Sequence, residues 1–287
     1  MRLIQTVAEV VRETGAWRKA GERIALVPTM GWFHEGHLAL MRLAKSLGSR
    51  TIVSLFVNPI QFGPREDLAA YPRDLDRDRR MAEDEVVDIL FAPAVEEMFE
   101  PQFQTRVSLG AISQGLCGAD RPGHFDGVAT IVTKLFHLTS PDVAVFGEKD
   151  LQQLALIRRM VRDLNFNIEI VGHPIVREPD GLAMSSRNSY LNEAERKTAL
   201  CLSQAIGRAR ETVRQSGNAV PAETLIADAV DFIAAHAGCQ VDYVSIVDRW
   251  SLAPSTAIDR DSVMALAVKI NGRVRLIDNG LLLPEAG

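Results

Sequence analysis

Excess positive charge, long apolar runs and cysteine are all scarce in this chain, and each scarcity excludes something. The formal net charge is −5, which speaks against a nucleic-acid binder, where a basic face is the rule. No apolar run approaches the roughly 20 residues needed to span a bilayer. The N-terminal stretch has neither the apolar core nor the cleavage site of a secretory signal. No membrane association and a cytoplasmic location are therefore expected. Cys117, Cys201 and Cys239 are odd in number and far apart in the sequence. They suggest free thiols in a reducing compartment rather than a disulfide frame or a zinc site. Low-complexity segments are absent too, as are internal repeats beyond two strand–loop–helix units. What remains is ordinary for a soluble globular protein: 287 residues, 47% hydrophobic and 24% charged, enough for one large or two modest domains.

The stretch that organises the rest is Pro28-Thr29-Met30-Gly31-Trp32-Phe33-His34-Glu35-Gly36-His37. An apolar run at 24–27 leads into it and a helix-patterned run at 38–47 leads out. It reads as the first strand-to-helix turn of an α/β unit, where a sheet's ligand crevice opens. Two histidines at i and i+3 stand where a new helix exposes unpaired N–H groups. That end favours anions, and imidazoles beside it can donate to phosphate oxygens. Gly36, having no Cβ, lets a ligand approach closely. A zinc-protease helix would need a histidine where Leu38 stands, and the Gly and Lys spacings of a Walker loop or dinucleotide fingerprint are missing. Taken alone, the tetrapeptide fits two surface histidines capping a helix equally well.

In chain order, a helix is expected from Thr6 to about Gly15. The β-branched run 51–57 reads as a strand buried on both faces, ended by Asn58-Pro59 and a polar loop to Arg73. Loops at strand ends carry function, which makes Asn58 and Gln61 candidates; on residue type alone, turn chemistry and plain exposure are the simpler readings. A charged helix at 74–85 and a strand at 87–91 follow. Asp74, Asp76 and Asp78 read as a solvated helix face rather than a metal site, since alternate residues on a helix do not face each other. A strand is expected at 106–109. Then comes a helix after His124-Phe125-Asp126-Gly127, with apolar residues at 128, 131, 132, 135 and 136; His124 either borders the site or caps that helix. Strand 143–146 runs into Gly147-Glu148-Lys149-Asp150, repeating the architecture of the first turn and placing Lys149 to meet phosphate as a point charge. Leu154, Ile157, Val161 and Leu164 give the next helix a core stripe, and 167–171 makes a further strand. Two such units on one parallel sheet form the doubly wound pattern. Its crevice is expected to gather residues 28–37, 58–61 and 147–153 into one pocket.

After Val176 the character changes. Arg177-Glu178-Pro179-Asp180-Gly181 is a turn, and Met184-Ser185-Ser186-Arg187 offers two hydroxyls, a guanidinium fork and backbone amides. That set suits a mobile phosphate clamp, although an ordinary polar loop has the same composition. Asn192-Glu193-Ala194-Glu195 opens a helix with a capping box, and a second helix runs from Pro221 to about Gly238. Strands are expected at 241–247, 263–270 and 273–278, the last two joined by an Asn271-Gly272 hairpin. The expected fold class is α/β: a Rossmann-like doubly wound parallel sheet over residues 1–176, then a smaller α+β domain over 177–287 acting as a lid.

His34-Glu35-Gly36-His37 resembles the HIGH signature of the nucleotidyltransferase superfamily. The longer string from Pro28 is similar to the pantoate–β-alanine ligase family. Three more blocks match that family in order: Phe56-Val57-Asn58-Pro59-Ile60-Gln61-Phe62, Phe146-Gly147-Glu148-Lys149-Asp150-Leu151-Gln152-Gln153, and Asp180-Gly181-Leu182-Ala183-Met184-Ser185-Ser186-Arg187-Asn188. Trp32-Phe33 and Leu151 depart from residues common in the family, which bears on the pocket wall rather than the chemistry. The resemblance implies condensation of pantoate with β-alanine through a pantoyl adenylate, on the route to pantothenate and coenzyme A. It implies His34, His37 and Lys149 as catalytic residues. ATP would be held by Met30, Gly31, His34, Gly36, His37, Gly147, Glu148, Lys149, Asp150, Val176, Met184, Ser185, Ser186 and Arg187. Gln61 and Gln153 would bind pantoate and Gln61 also β-alanine. Mg²⁺ would arrive with ATP, held largely by phosphates and by no dedicated protein site. A homodimer is implied as well. Two alternatives differ in outcome: a nucleotidyltransferase that leaves the nucleotide on its product, and a nucleotide-binding regulator without turnover.

Overall fold

Apolar β-branched residues fall into short runs in the first half of the chain, and a strand covered on both faces is where such runs bury every side chain. The computed structural model describes residues 1–64, 66–216 and 220–283 and places these runs in a six-stranded, wholly parallel sheet. Its strands are β1 (Arg2–Ile4), β2 (Ile24–Thr29), β3 (Arg50–Leu55), β4 (Ile89–Phe91), β5 (Val143–Gly147) and β6 (Glu169–His173). Their order is β1-β4-β3-β2-β5-β6. From β2 the chain winds outward through β3 to β4, then returns so that β5 pairs with the other edge of β2. The winding therefore reverses between β2 and β5, and sheets of this kind bind ligands outside the carboxyl ends of the strands at that point. The helices over the same stretch of chain are α1 (Val7–Lys19), α2 (Glu35–Leu47), α3 (Leu75–Asp84), α4 (Val95–Met98), α5 (Cys117–Asp120), α6 (His124–Thr139) and α7 (Leu151–Asp163). Met41 and Ala44 of α2 pack on fully buried Ala25, Val27, Val53 and Val143.

The chain then forms α8 (Glu193–Ala199), α9 (Cys201–Ser216), α10 (Ala222–Ala234) and an antiparallel sheet of β7 (Cys239–Asp248), β8 (Ser262–Ile270) and β9 (Val274–Leu281). Leu202, Ile206, Leu225, Ile233, Ile246 and Leu266 are buried in one core there. Ile270 pairs with Val274 across a three-residue connection, in which Asn271 and Gly272 take the left-handed φ of 49° and 65° that an Asn-Gly turn favours. The sulfurs of Cys201 and Cys239 lie 3.6 Å apart as free thiols.

The residues divide into two compact units. One comprises Met1–Ser113, Arg121–Glu148 and Leu156–Pro174; the other comprises Gln114–Asp120, Lys149–Ala155 and Ile175–Gly287. Two short segments before residue 174 thus belong with the second unit. Residues 284–287 of the expected second domain lie outside the described ones.

Several local expectations need correction. α1, capped by Thr6, runs through Gly15 to Lys19; a glycine inside a helix costs only about 1 kcal/mol. No strand forms at 106–109, where the Val107 N–H donates to Thr130 Oγ1 (3.0 Å) instead of to a neighbouring strand. Leu154 and Ile157 are buried as expected, but α7 ends at Asp163 and leaves Leu164 51% exposed. The capping-box helix stops after about two turns, and α9 starts afresh at Cys201.

Candidate active site

In the first unit, β2 ends at Thr29 and the chain turns sharply through Gly31 (φ 86°) and Trp32 (φ 53°). A left-handed tryptophan costs energy and persists only where its surroundings over-determine it. Asp78 supplies that determination from α3. It accepts hydrogen bonds from the backbone N–H of Trp32 (2.6 Å) and of Phe33 (2.8 Å). Arg77 donates to the Phe33 carbonyl (2.6 Å) and lays its guanidinium over the Trp32 ring at 4.9 Å. A Cβ on Gly31 would lie 2.9 Å from the Asp78 carboxylate. Asp78 is 1% exposed, so the solvated face expected for 74, 76 and 78 is wrong at 78. Burial raises its carboxyl above the ordinary aspartate range, against the opposing pull of the Phe33 and Trp32 N–H groups. Phe33 is fully buried in the core.

The turn delivers His34 as the N-cap of α2. His34 Nδ1 accepts from the Gly36 N–H (3.2 Å), and His37 Nδ1 accepts from the His34 N–H (3.3 Å). The two rings lie 4.1 Å apart. An imidazole nitrogen that accepts carries no proton, so in both neutral rings the proton sits on Nε2. The backbone N–H groups of Gly36 and His34 are thus engaged by the pair itself. The Nε2–H groups of the pair lie at a positive helix end.

Gln61 closes a short 3₁₀ turn, Pro59–Gln61, after β3. Its Oε1 accepts from Asn58 Nδ2 (2.9 Å), which also donates to the Gly127 carbonyl (3.1 Å). That settles the orientation of the amide: Nε2 points at the Met30 thioether, 3.1 Å away and a weak acceptor. His124 does not cap α6, whose N-cap is Gly123 with no side-chain bond. Its Nδ1 lies 2.9 Å from the Gln61 carbonyl and its Nε2 lies 3.0 Å from Arg121 Nη1. Since arginine only donates, Nε2 accepts and Nδ1–H donates to Gln61. Arg121 is paired in turn with Glu66 (2.6 Å). Burial works to raise Glu66, but Arg121 outweighs it and holds the carboxyl below its usual range. A Cβ on Gly127 would sit 2.5 Å from the Ile60 carbonyl, so α6 is packed backbone to backbone against the turn that carries Gln61. Gly147 and Glu148 stand at the end of β5, at the reversal point of the sheet.

In the second unit, Lys149 and Asp150 complete a 3₁₀ turn before α7, and half-buried Gln153 lies in its first turn. The Lys149 carbonyl accepts from Asn279 Nδ2 (2.9 Å). Val176 and Met184 are joined, the Met184 N–H donating to the Val176 carbonyl (3.0 Å), and Arg177 bridges Ala183. Gly181 (φ 97°) turns this small hairpin. Ser185 then caps a 3₁₀ turn, Ser186–Tyr190, its Oγ accepting from the Arg187 N–H. Asn188 Nδ2 donates to Glu178 (2.8 Å), and Arg196 donates to both Glu178 and Asp180. Against burial, the Leu182 N–H and Arg196 hold Asp180 below its usual range.

The expected site residues therefore fall into two sets. Met30, Gly31, His34, Gly36, His37, Gln61, Gly147 and Glu148 lie in the first unit, and Lys149, Asp150, Gln153, Val176 and 184–187 in the second. Sequence reasoning read Asp78 as solvated, passed over Arg77 and Asn279, and left His124 undecided; all act on the backbone of distant residues. A cleft of about 620 Å³ beside α9 and α10, lined by Gln204, Arg208 and Phe232 among others, includes none of the expected residues. No helix among the described residues is long and apolar enough to cross a membrane.

A parallel sheet whose winding reverses beside a His-x-Gly-His helix start defines a Rossmann-like α/β protein of the HIGH-signature type. The family model for pantoate–β-alanine ligase matches residues 2–281. Pantothenate synthetase of Desulfotalea psychrophila is 52% identical over 286 residues, covering 99% of this chain and all of its own. That of Trichlorobacter lovleyi is 51% identical over 98% of this chain and 99% of its own. The crystal structure of pantothenate synthetase from Thermus thermophilus matches with a TM-score of 0.92 at 44% identity, over 99% of this chain and 100% of that one. A pantoate–β-alanine ligase structure from Francisella tularensis, complexed with β-γ ATP and β-alanine, matches with a TM-score of 0.78 at 31% identity, over 100% and 99%. The chain belongs to the pantoate–β-alanine ligase family. It is an enzyme, a ligase that condenses pantoate with β-alanine.

Proposed function

We propose that the condensation runs through an acyl adenylate, with ATP as the activating substrate. The pantoate carboxylate attacks the α-phosphorus in line and pyrophosphate leaves. The β-alanine amine then attacks the acyl carbon of the mixed anhydride, forming the amide bond as AMP departs. No protein nucleophile is needed; the enzyme supplies position and charge neutralisation. The observation that carries this proposal is the reciprocal histidine cap, whose two Nε2–H groups are donors held in place before any ligand arrives.

In this scheme His34, His37 and Lys149 stabilise charge developing on the phosphates, and Ser185, Ser186 and Arg187 close over them. Met30, Gly31, Gly36, Gly147, Glu148, Asp150, Val176 and Met184 complete the ATP contacts. Gln61 and Gln153 hold pantoate through its oxygens, a pantoate oxygen taking the place of the Met30 sulfur on Gln61 Nε2; Gln61 also meets β-alanine. Mg²⁺ enters with ATP as part of the substrate. Residues 177–287 act as a lid over the nucleotide, and a cytoplasmic homodimer is the working form.

Pyrophosphate exchange tests the scheme. Labelled pyrophosphate is expected to enter ATP with enzyme, Mg²⁺ and pantoate, without β-alanine. Omitting pantoate should abolish it, and adding β-alanine should release AMP and pantothenate in equal amounts. Exchange without pantoate, or ADP as product, would sink the scheme.

A further inference from the structure

β9 breaks the rule of its own sheet. Asp278 and Asn279 are consecutive, polar and buried, at 3% and 7% exposure, in a strand whose other buried residues include Val274 and Leu276. A buried charge or amide costs free energy unless it is fully paired, and even a paired buried ion contributes little net stability. Stability alone therefore gives a poor reason for two of them side by side. Their partners give a better one.

Asp278 accepts a two-pronged pair of hydrogen bonds from Arg177 (2.7 and 2.9 Å), and the same guanidinium donates to the Gly181 carbonyl (3.0 Å). Arg177 and Gly181 belong to the hairpin that leads into Met184-Ser185-Ser186-Arg187. Asn279 donates through Nδ2 to the Lys149 carbonyl, while its own N–H donates to Asp278 Oδ1 (2.8 Å). The next residue, Gly280, leaves room for Arg210: a Cβ there would lie 2.4 Å from Arg210 Nη2. Arg210 donates to the Leu281 carbonyl (2.7 Å). Two adjacent side chains on one strand thus grip two separate segments, 101 and 130 residues away in sequence.

We infer that Asp278 and Asn279 are positioning residues: β9 anchors the backbone of Lys149 and the base of the 184–187 loop to one rigid strand, setting them in register for the same phosphates. The inference rests on Lys149 being a phosphate contact. In this scheme Asn279 touches no substrate and acts on Lys149 through its carbonyl. Losing its amide frees that carbonyl and lets the lysine drift. Displacements of about 1 Å cost up to 10²-fold in rate when a group must meet a developing charge.

The test is a double-mutant cycle in the full-length enzyme, read by pantoate-dependent pyrophosphate exchange. Asn279→Ala is expected to lower kcat/KM for ATP about ten-fold while the pantoate KM stays within about two-fold, as befits a group acting on one substrate. In a Lys149→Ala background, Asn279→Ala should cost nothing more, because the side chain whose backbone it holds has gone. Asn279→Leu fills the space without a donor and should behave like the alanine variant; it carries the test if thermal melting shows that the alanine variant is unfolded at assay temperature. Unchanged ATP kinetics, an equal loss in both backgrounds, or an equal rise in the pantoate KM would each overturn the inference. Near-normal turnover in Lys149→Ala alone would overturn the reading of that lysine, and the inference with it. The single variant thus separates the two failures.

Discussion

At the scale of single residues, the consequential side chains are those that hold the backbone of others. Asp78 is the clearest case. Asp78→Ala would strand the N–H groups of Trp32 and Phe33 in a buried turn, at roughly 1–3 kcal/mol. A lower Tm and a rise in the ATP KM are expected together, because the same turn delivers His34; an unchanged Tm would show that the turn holds itself. His37 separates its two nitrogens by substitution. With Nδ1 engaged by the backbone, Nε2 is the donor that meets phosphate in the proposed scheme, so His37→Ala should lose about 10²–10³ in turnover. His37→Gln, whose amide reaches the Nε2 position, should retain more than His37→Asn, and the reverse ranking would reassign the nitrogens. Those histidines were legible as candidates because three further blocks match the same family in order. Asp78 was not, since it lies 46 residues from the N–H it holds, and a run of alternate aspartates carries no sign of which one turns inward.

At the scale of elements, local chemistry was readable and pairing was not. The capping box of α8 and the Asn-Gly hairpin of β8–β9 form where their residues require, because each is complete within a few residues. The 106–109 segment has strand-like composition, yet a strand exists only with a partner, and Thr130 takes the N–H of Val107 instead. Leu164 continues a helical stripe on paper, but α7 has already ended. Element geometry also makes predictions. Gly127→Ala would drive a methyl group into the Ile60–Gln61 backbone, costing about 1–3 kcal/mol as overpacking and raising the pantoate KM more than the ATP KM. Equal effects on both would detach α6 from Gln61. At the start of α8, hydrogen bonds from the Asn192 backbone, Asn271 and Arg273 pull the Glu195 carboxyl down to about 2. A depressed carboxylate stabilises above its ordinary value near 4.5 and loses that contribution as pH falls through about 2. The Tm difference between wild type and Glu195→Gln should therefore be full at pH 6 and fade between these two values.

At the scale of the whole molecule, four collinear motif blocks disclosed the family, and alternating strand and helix patterns disclosed the doubly wound sheet. The interleaving of the chain was hidden: residues 114–120 and 149–155 join the second unit, and nothing in their hydropathy says so. Hydrogen exchange at residues 180–190 should slow when ATP and pantoate are added together, as closure over a hydrolysable acyl adenylate excludes water. Exchange that stays as it was would remove the lid from the scheme.

Trp32 has a use beyond its place in the turn. Of the three tryptophans, Trp17 lies beneath Arg50 and Trp250 beneath Arg249, while Trp32 sits under Arg77, two residues before His34. An indole ring pressed against a guanidinium emits light whose colour and intensity follow small shifts of that charge. The protein therefore carries its own optical reporter beside the histidine pair. Replacing Trp17 and Trp250 by Phe would leave a single emitter, through which nucleotide arrival could be followed in a stopped-flow instrument with no label attached.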